Sequence, residues 1–182
     1  MLNYYFIAGV VIYKTFAGRN QKGQLMAVIF LGLGSNLGDR CKNIMQTMAE
    51  LSKVIEVTKE SSIIETLPMY DLEQPPFMNA VLEASTELSP STLIALTKAL
   101  ERKMGRIKTR PYGPRVIDID ILYYDDNIIN SDDLTIPHPL IAERDFVLRP
   151  MSEIAPSFRC PVSGKSIRQM LQELESAEMF AA

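Results

Sequence analysis

The sequence is poor in the residues that build most metal centres and cross-links: it has one histidine and two cysteines. Cys41 and Cys160 form no CxxC pair, so both read as buried or idle thiols in a reducing cytoplasm rather than as a disulfide framework. Positive charge is not in excess either. A net charge of -3 gives no general attraction to nucleic acid or to an anionic membrane. No apolar run is long enough to cross a bilayer: the N-terminal MLNYYFIAGVVIYKTF is interrupted and falls short of the ~20 residues required. It has no basic residues ahead of its apolar part, which makes it a poor secretory signal. There is no internal repeat.

What remains is a globular composition, 47% hydrophobic and 23% charged over 182 residues, enough for a core that needs no staples. Residues 1–25 stand apart. The polar connector GRNQKGQL separates the first apolar stretch from Met26. Residues 1–25 are therefore either an extension that adds a strand or helix to the surface or the product of an upstream start. Residues 26–182 form the single main domain.

AVIFLGL (27–33) is a short apolar run ending in glycines, the pattern of a buried strand. Residues 39–54 have apolar positions at Ile44, Met48 and Leu51 behind a capping Asp39, which predicts a helix. EVTKESSIIET (56–66) is β-branched and reads as one strand, the Pro-rich 67–77 as a loop, and MNAVLEAST (78–86) as a strand. Residues 89–105 give the clearest helix, with Ser89 as cap, Pro90 in the first turn, Leu93, Leu96, Leu100 and Met104 on one face, and Gly105 at the end. VIDIDILYY (116–124) is a strand and NII (127–129) a short return. In the tail, two or three short helical segments are broken by Pro137, Pro139, Pro150, Pro156 and Pro161. The order β-α-β-β-α-β is that of an α+β, ferredoxin-like sandwich: an antiparallel sheet with helices on one face.

Two glycine motifs are decoys. GLGSNLG (32–38) has Leu37 where GxGxxG needs its third glycine, and GKS (164–166) has Arg159 where a Walker A needs its first. GLGSN keeps a local role as a turn between strand and helix.

GPRVIDIDILYYDD (113–126) poses a physical problem. A strand has a side-chain period of two, so Asp118 and Asp120 leave it on one face, roughly 6.5 Å apart. Burying like charges together is costly unless something positive sits beside them. Directly upstream, Arg102, Lys103, Arg106, Lys108, Arg110 and Arg115 place six cations in 14 residues without one acid. A solvated loop and an edge strand with an acidic face would explain these features blandly. Strands deplete Asp, however, and Val116, Ile117, Ile119, Ile121 and Leu122 read as buried. Carboxylates for two Mg²⁺ ions and cations for phosphate oxygens together suggest a polyphosphate. His138 lies between prolines with Arg144 and Phe146 close behind, and reads equally as a site or a structural histidine. Thr66, Phe77 and Asn79 surround the Pro-rich loop; Asn suits the edge of a heterocycle and Phe its face.

GSNLGDR, PPFMNA, GPRVIDIDIL and LTIPHPLIAERDFVLRPMSEIAP together resemble the 6-hydroxymethyl-7,8-dihydropterin pyrophosphokinase family, from about Ala27 to about Leu174. The resemblance implies a ferredoxin-like fold and transfer of the ATP diphosphate to the pterin hydroxymethyl group, with release of AMP, in folate biosynthesis. It implies a site made of Arg106, Arg115, Asp118 and Asp120, with the two aspartates holding two Mg²⁺ ions. Lys98, Glu101, Arg106, Lys108, Arg110, Arg115, Ile121, Thr135, His138 and Arg144 would meet ATP. Thr66, Leu67, Met69, Phe77, Asn79 and Phe146 would form the pterin pocket. The expected partners are thus ATP and the pterin, without nucleic acid or membrane, in a cytoplasmic monomer or weak oligomer. Two departures stand out: a basic loop one residue shorter than in the best-known members, with Tyr112 where some have Trp, and residues 1–25, which have no counterpart. The rival readings are two-metal nucleotidyl transfer, which releases pyrophosphate, and an RNA-binding module of the same fold. The latter wants aromatics on the sheet face and net positive charge, where this chain has Asp and net negative charge.

Overall fold

Which way each strand points its apolar residues decides the architecture. The computed structural model describes residues 2–7, 10–15, 26–69, 71–107, 110 and 112–181. Strands β1 (Leu2–Ile7) and β2 (Val10–Thr15) pair antiparallel with each other. The central sheet contains β3 (Ala27–Ser35), β4 (Glu56–Glu60), β5 (Ile64–Thr66), β6 (Phe77–Thr86) and β7 (Asp118–Tyr124). Its order is β4-β6-β3-β7, all antiparallel, with β5 also paired to β6. Helix α1 (Arg40–Leu51) follows β3 and α2 (Pro90–Lys103) follows β6, which gives the predicted β-α-β-β-α-β order. Short strands β8 (Ile129–Asn130) and β9 (Thr135–Ile136) pair with each other. A 3₁₀ turn (Ile141–Glu143), α3 (Asp145–Ile154) and α4 (Ile167–Ala181) complete the chain.

Both predicted helix starts are built as expected. The Asp39 carboxylate accepts from Lys42 N–H at 3.1 Å, and the Ser89 hydroxyl accepts from Thr92 N–H at 3.2 Å, with Pro90 in the first turn. Ile29, Leu31 and Leu33 of β3, Leu82 of β6 and Ile119 and Ile121 of β7 then pack with Ile44 and Leu51 of α1 and Leu93, Leu96 and Leu100 of α2. This is the larger core.

Helices also cover the other face of the sheet, contrary to the expectation of helices on one face. Phe30, Val81, Leu122 and Tyr123 meet Val147, Leu148 and Met151 of α3 and Ile167 and Met170 of α4. The prolines hid this. Pro150 lies inside α3 instead of ending it, and α4 runs for 15 residues. A bulge opposite Phe30/Leu31 lets Leu122 and Tyr123 both serve this second core.

Other boundaries shift as well. The expected strand 56–66 is two strands separated at Ser61–Ile63, where Ser61 Oγ accepts from Val81 N–H at 2.9 Å. β3 runs on to Ser35, so Gly32 and Gly34 are strand residues, and the turn into α1 uses Gly38 at φ 66. Cys41 and Cys160 are both free thiols. Among the described residues no helix is long and apolar enough to cross a membrane.

Leu82 is fully buried between the sheet and its helices, whereas Leu72 is 75% exposed. Leu82→Ala is expected to lower unfolding free energy by about 2–5 kcal/mol. Leu72→Ala should stay within roughly 0.5 kcal/mol of the parent in the same denaturant titration.

Candidate active site

α3 and α4 cover only one end of the second sheet face. At the uncovered end lies a cleft of about 290 Å³. Its floor is three strands in register: Asn79 of β6 faces Gly34 of β3, which faces Asp118 of β7, and one row further Val81, Gly32 and Asp120 align in the same way. The two glycines of GLG therefore lie beside the aspartates, on the floor of the cleft. A Cβ on Gly34 would come within 3.0 Å of Asn79 Oδ1, and one on Gly32 within 3.3 Å of the Leu122 side chain. The glycine motif acts by absence of a side chain in a strand, a signal that a phosphate-loop template cannot detect.

The two aspartates have different surroundings. Asp118 bonds Arg106 and lies 3.2 Å from Arg115 Nε. Burial pushes its carboxyl up, but Arg115, Arg106 and Lys98 outweigh that and hold it below the ordinary carboxylate range. Asp120 has no such close pair among the described residues: Arg144 Nη1 lies at 3.6 Å and His138 Nε2 at 4.0 Å. Burial, and then the charge of Asp118, push Asp120 up to about 6.

The basic groups are held by a second layer. Glu101, 3% exposed on α2, lies 2.9 Å from Lys98 Nζ and 2.7 Å from Arg106 Nη1, and it accepts from Ile119 N–H at 2.8 Å. Burial raises its pKa against the pull of Lys98. Glu101 thus fixes two cations to the strand that carries the aspartates. His138 Nδ1 accepts from Leu140 N–H at 3.3 Å. Burial and then Arg144 push this histidine down to about 4, so at neutral pH it is uncharged, and its Nε2 lies 3.4 Å from Arg144 Nη1.

The other end of the cleft is apolar and aromatic. The Phe77 ring lies 5.3 Å from the Arg115 guanidinium, and the Phe146 ring 5.5 Å from that of Arg144. Asn79 Nδ2 donates to Thr66 Oγ1 at 2.8 Å, which fixes the orientation of its amide. Among the described residues the buried Nε of Arg144 has no hydrogen-bond partner, and that of Arg115 meets Asp118 only as an ion pair, without hydrogen-bond geometry.

Most of the expected site residues come together here. Thr66, Leu67, Met69, Phe77, Asn79, Lys98, Arg106, Arg115, Asp118, Asp120, His138, Arg144 and Phe146 line the cleft, with Glu101 directly behind. Three do not line it. The Ile121 side chain points the opposite way, into the core with α1 and α2, because it alternates with Asp120. Thr135 is exposed on β9 and does not contribute to the cleft lining. Arg110 is drawn to Asp71, with which it forms an ion pair. Lys108 lies outside the described residues. Sequence reasoning missed Gln74 and Tyr112, which line the cleft, and Asn36, which supports it.

A site for Mg²⁺ is compatible with this geometry. No group of three or more His, Cys, Asp or Glu able to hold a metal occurs among the described residues. Mg²⁺ does not require one, because it keeps waters and substrate phosphates and takes one or two protein carboxylates.

The sequence profile of the family described as 7,8-dihydro-6-hydroxymethylpterin-pyrophosphokinase (HPPK) matches residues 30–156. The chain is 48% identical over 134 residues to the folic acid synthesis protein FOL1 of Dictyostelium discoideum, covering 74% of this chain and 20% of that one. It therefore spans about a fifth of the length of that relative. It is 38% identical over 148 residues to the 2-amino-4-hydroxy-6-hydroxymethyldihydropteridine pyrophosphokinase of Aquifex aeolicus, covering 81% of this chain and 92% of that one. The fold is similar to that of Plasmodium falciparum HPPK-DHPS crystallised with pteroate, with a TM-score of 0.69 at 17% identity over 86% of this chain and 44% of the other. A matching family profile over most of the sheet and its helices, and a relative of similar length covered almost end to end, give one answer: this chain belongs to the HPPK family.

Proposed function

We propose that the cleft carries the pyrophosphokinase activity of its family, moving the β,γ-diphosphate of ATP to the hydroxymethyl oxygen of 6-hydroxymethyl-7,8-dihydropterin and releasing AMP. The observation that carries this reading is the composition of one continuous cleft: paired aspartates and four cations at one end, two aromatic rings and a fixed amide at the other.

The hydroxymethyl oxygen attacks the β-phosphorus, a new O–P bond forms, and the bond from that phosphorus to the α-phosphate oxygen breaks. AMP departs with the electron pair, and the hydroxyl proton leaves with the solvent or a carboxylate. Asp118 and Asp120 are the residues that would hold Mg²⁺, two ions in our reading, and the metal would neutralise phosphate charge and acidify the attacking hydroxyl. Arg106, Arg115, Lys98 and Arg144 meet the charge that gathers on phosphate oxygens, and the Arg144 Nε donor is available for that purpose. Neutral His138 offers a polar ring to the nucleotide without adding charge. Phe77 and Phe146 hold the heterocycle flat, and Asn79 presents its amide to the ring edge. The fixed distance between the two ends turns a bimolecular encounter into an oriented one.

Asp120→Asn is expected to cut AMP formation by about 10³-fold or more. Production of pyrophosphate in place of AMP by the parent protein would indicate nucleotidyl transfer instead. The same variant should be more stable than the parent when free of ligand and metal. Asp120 titrates near 6 in the folded chain and near 3.8 unfolded, so its ionisation destabilises the fold above pH 6 and the cost vanishes toward pH 4. A thermal melt series should show the variant ahead above pH 6 and level near pH 4.

Gly34→Ala should crowd Asn79 and raise the KM for pterin by roughly tenfold, with the KM for ATP nearly unchanged. Equal effects on both substrates would show that the amide does not read the heterocycle.

A further inference from the structure

Asn36 is 1% exposed, yet its side-chain amide is fully occupied. Oδ1 accepts from Arg115 N–H at 2.7 Å, and Nδ2 donates to Gln74 Oε1 at 3.0 Å and to the Pro75 carbonyl at 3.1 Å. Its backbone N–H donates to the Arg115 carbonyl at 3.1 Å. Gln74 continues the chain of bonds. Its Nε2 donates to the Asp71 carbonyl at 2.9 Å and to the Tyr112 carbonyl at 3.0 Å. Two carboxamides in series thus tie the end of β3 to two loops that are remote in sequence.

Those loops carry the two ends of the cleft. One runs through Asp71–Pro76 into Phe77, and the other through Tyr112 into Arg115. Tyr112 is held at φ 56, a conformation that costs a residue with a side chain energy, and the bond from Gln74 anchors its carbonyl there. The Arg110–Asp71 ion pair joins the same two loops a second time. Downstream, Arg115 contacts both the Phe77 ring and Asp118. A shift of either loop therefore moves an aromatic wall and a phosphate-facing cation together.

We propose that Asn36 and Gln74 are positioning residues that couple the two halves of the cleft, so that occupation of the nucleotide end organises the heterocycle end. This rests on the reading of the cleft as an ATP–pterin site. The two amides touch neither reacting atom; they act through Arg115 and Phe77.

Gln74→Glu is the sharper test. It keeps the acceptor for Asn36 and turns an oxygen toward the Asp71 and Tyr112 carbonyls. Asn36→Asp keeps the acceptor for Arg115 N–H and loses both donors. Calorimetry measures 6-hydroxymethylpterin binding to each protein with and without saturating Mg²⁺ and α,β-methylene-ATP. In the parent protein, nucleotide is expected to strengthen pterin binding. In Gln74→Glu that strengthening should fall by roughly tenfold and kcat by roughly tenfold to a hundredfold, with nucleotide affinity alone within about threefold and Tm unchanged. Because Gln74 is only half-buried, this variant carries the test even if Asn36→Asp does not fold. The proposal is overturned if folded Gln74→Glu retains the full strengthening and kcat. It is equally overturned if both affinities fall together in step with Tm, the mark of a merely structural bond. Absence of nucleotide-dependent strengthening in the parent would instead overturn the ATP–pterin reading itself, and the coupling with it.

Discussion

The structure depends on a repulsion that it does not remove. Asp118 and Asp120 leave the same face of β7, and the protein satisfies only one of them. Asp118 has Arg106 and Arg115 beside it, whereas Asp120 has Arg144 and His138 no nearer than 3.6 Å and 4.0 Å. The difference shows in their acidity, lowered for the first and raised to about 6 for the second. A fold selected for stability alone would place an asparagine or an apolar residue at 120. Keeping a poorly neutralised carboxylate there makes sense when the remaining neutralisation comes from outside the protein.

The rest of the architecture supports that arrangement. α1 and α2 with the larger core make the sheet rigid from one side. α3 and α4 close part of the other side and leave the aspartate end open. Glycines at 32 and 34 lower the floor opposite the aspartates, and Glu101 ties Lys98 and Arg106 to β7 through Ile119 N–H.

The acidic pair was legible in the sequence because it breaks a rule: aspartates are rare in apolar strand material, and a basic run beside them narrows the explanation. The helix caps at Asp39 and Ser89 were legible because capping chemistry is local. What escaped notice is non-local. Asn36 meets Gln74 across 38 residues and Arg115 across 79, and no spacing rule connects them. GLG misled because the same residues that form a phosphate loop also make a strand with a missing side chain, and only the register against β7 separates the two. Ile121 and Thr135 came from the resemblance alone, and strand alternation turns the first of them into the core. The prolines of the tail obscure the covering of the second sheet face, because proline ordinarily breaks a helix and Pro150 nonetheless sits within one.

In the proposed reaction an external cation and a triphosphate complete the charge balance at β7. Calorimetric titration with α,β-methylene-ATP, in Mg²⁺ and again in EDTA, tests this most directly. Micromolar binding in Mg²⁺ that weakens by about a hundredfold or more in EDTA, and equally in Asp118→Asn, is the predicted result. Affinity indifferent to both the metal and the carboxylate would contradict it.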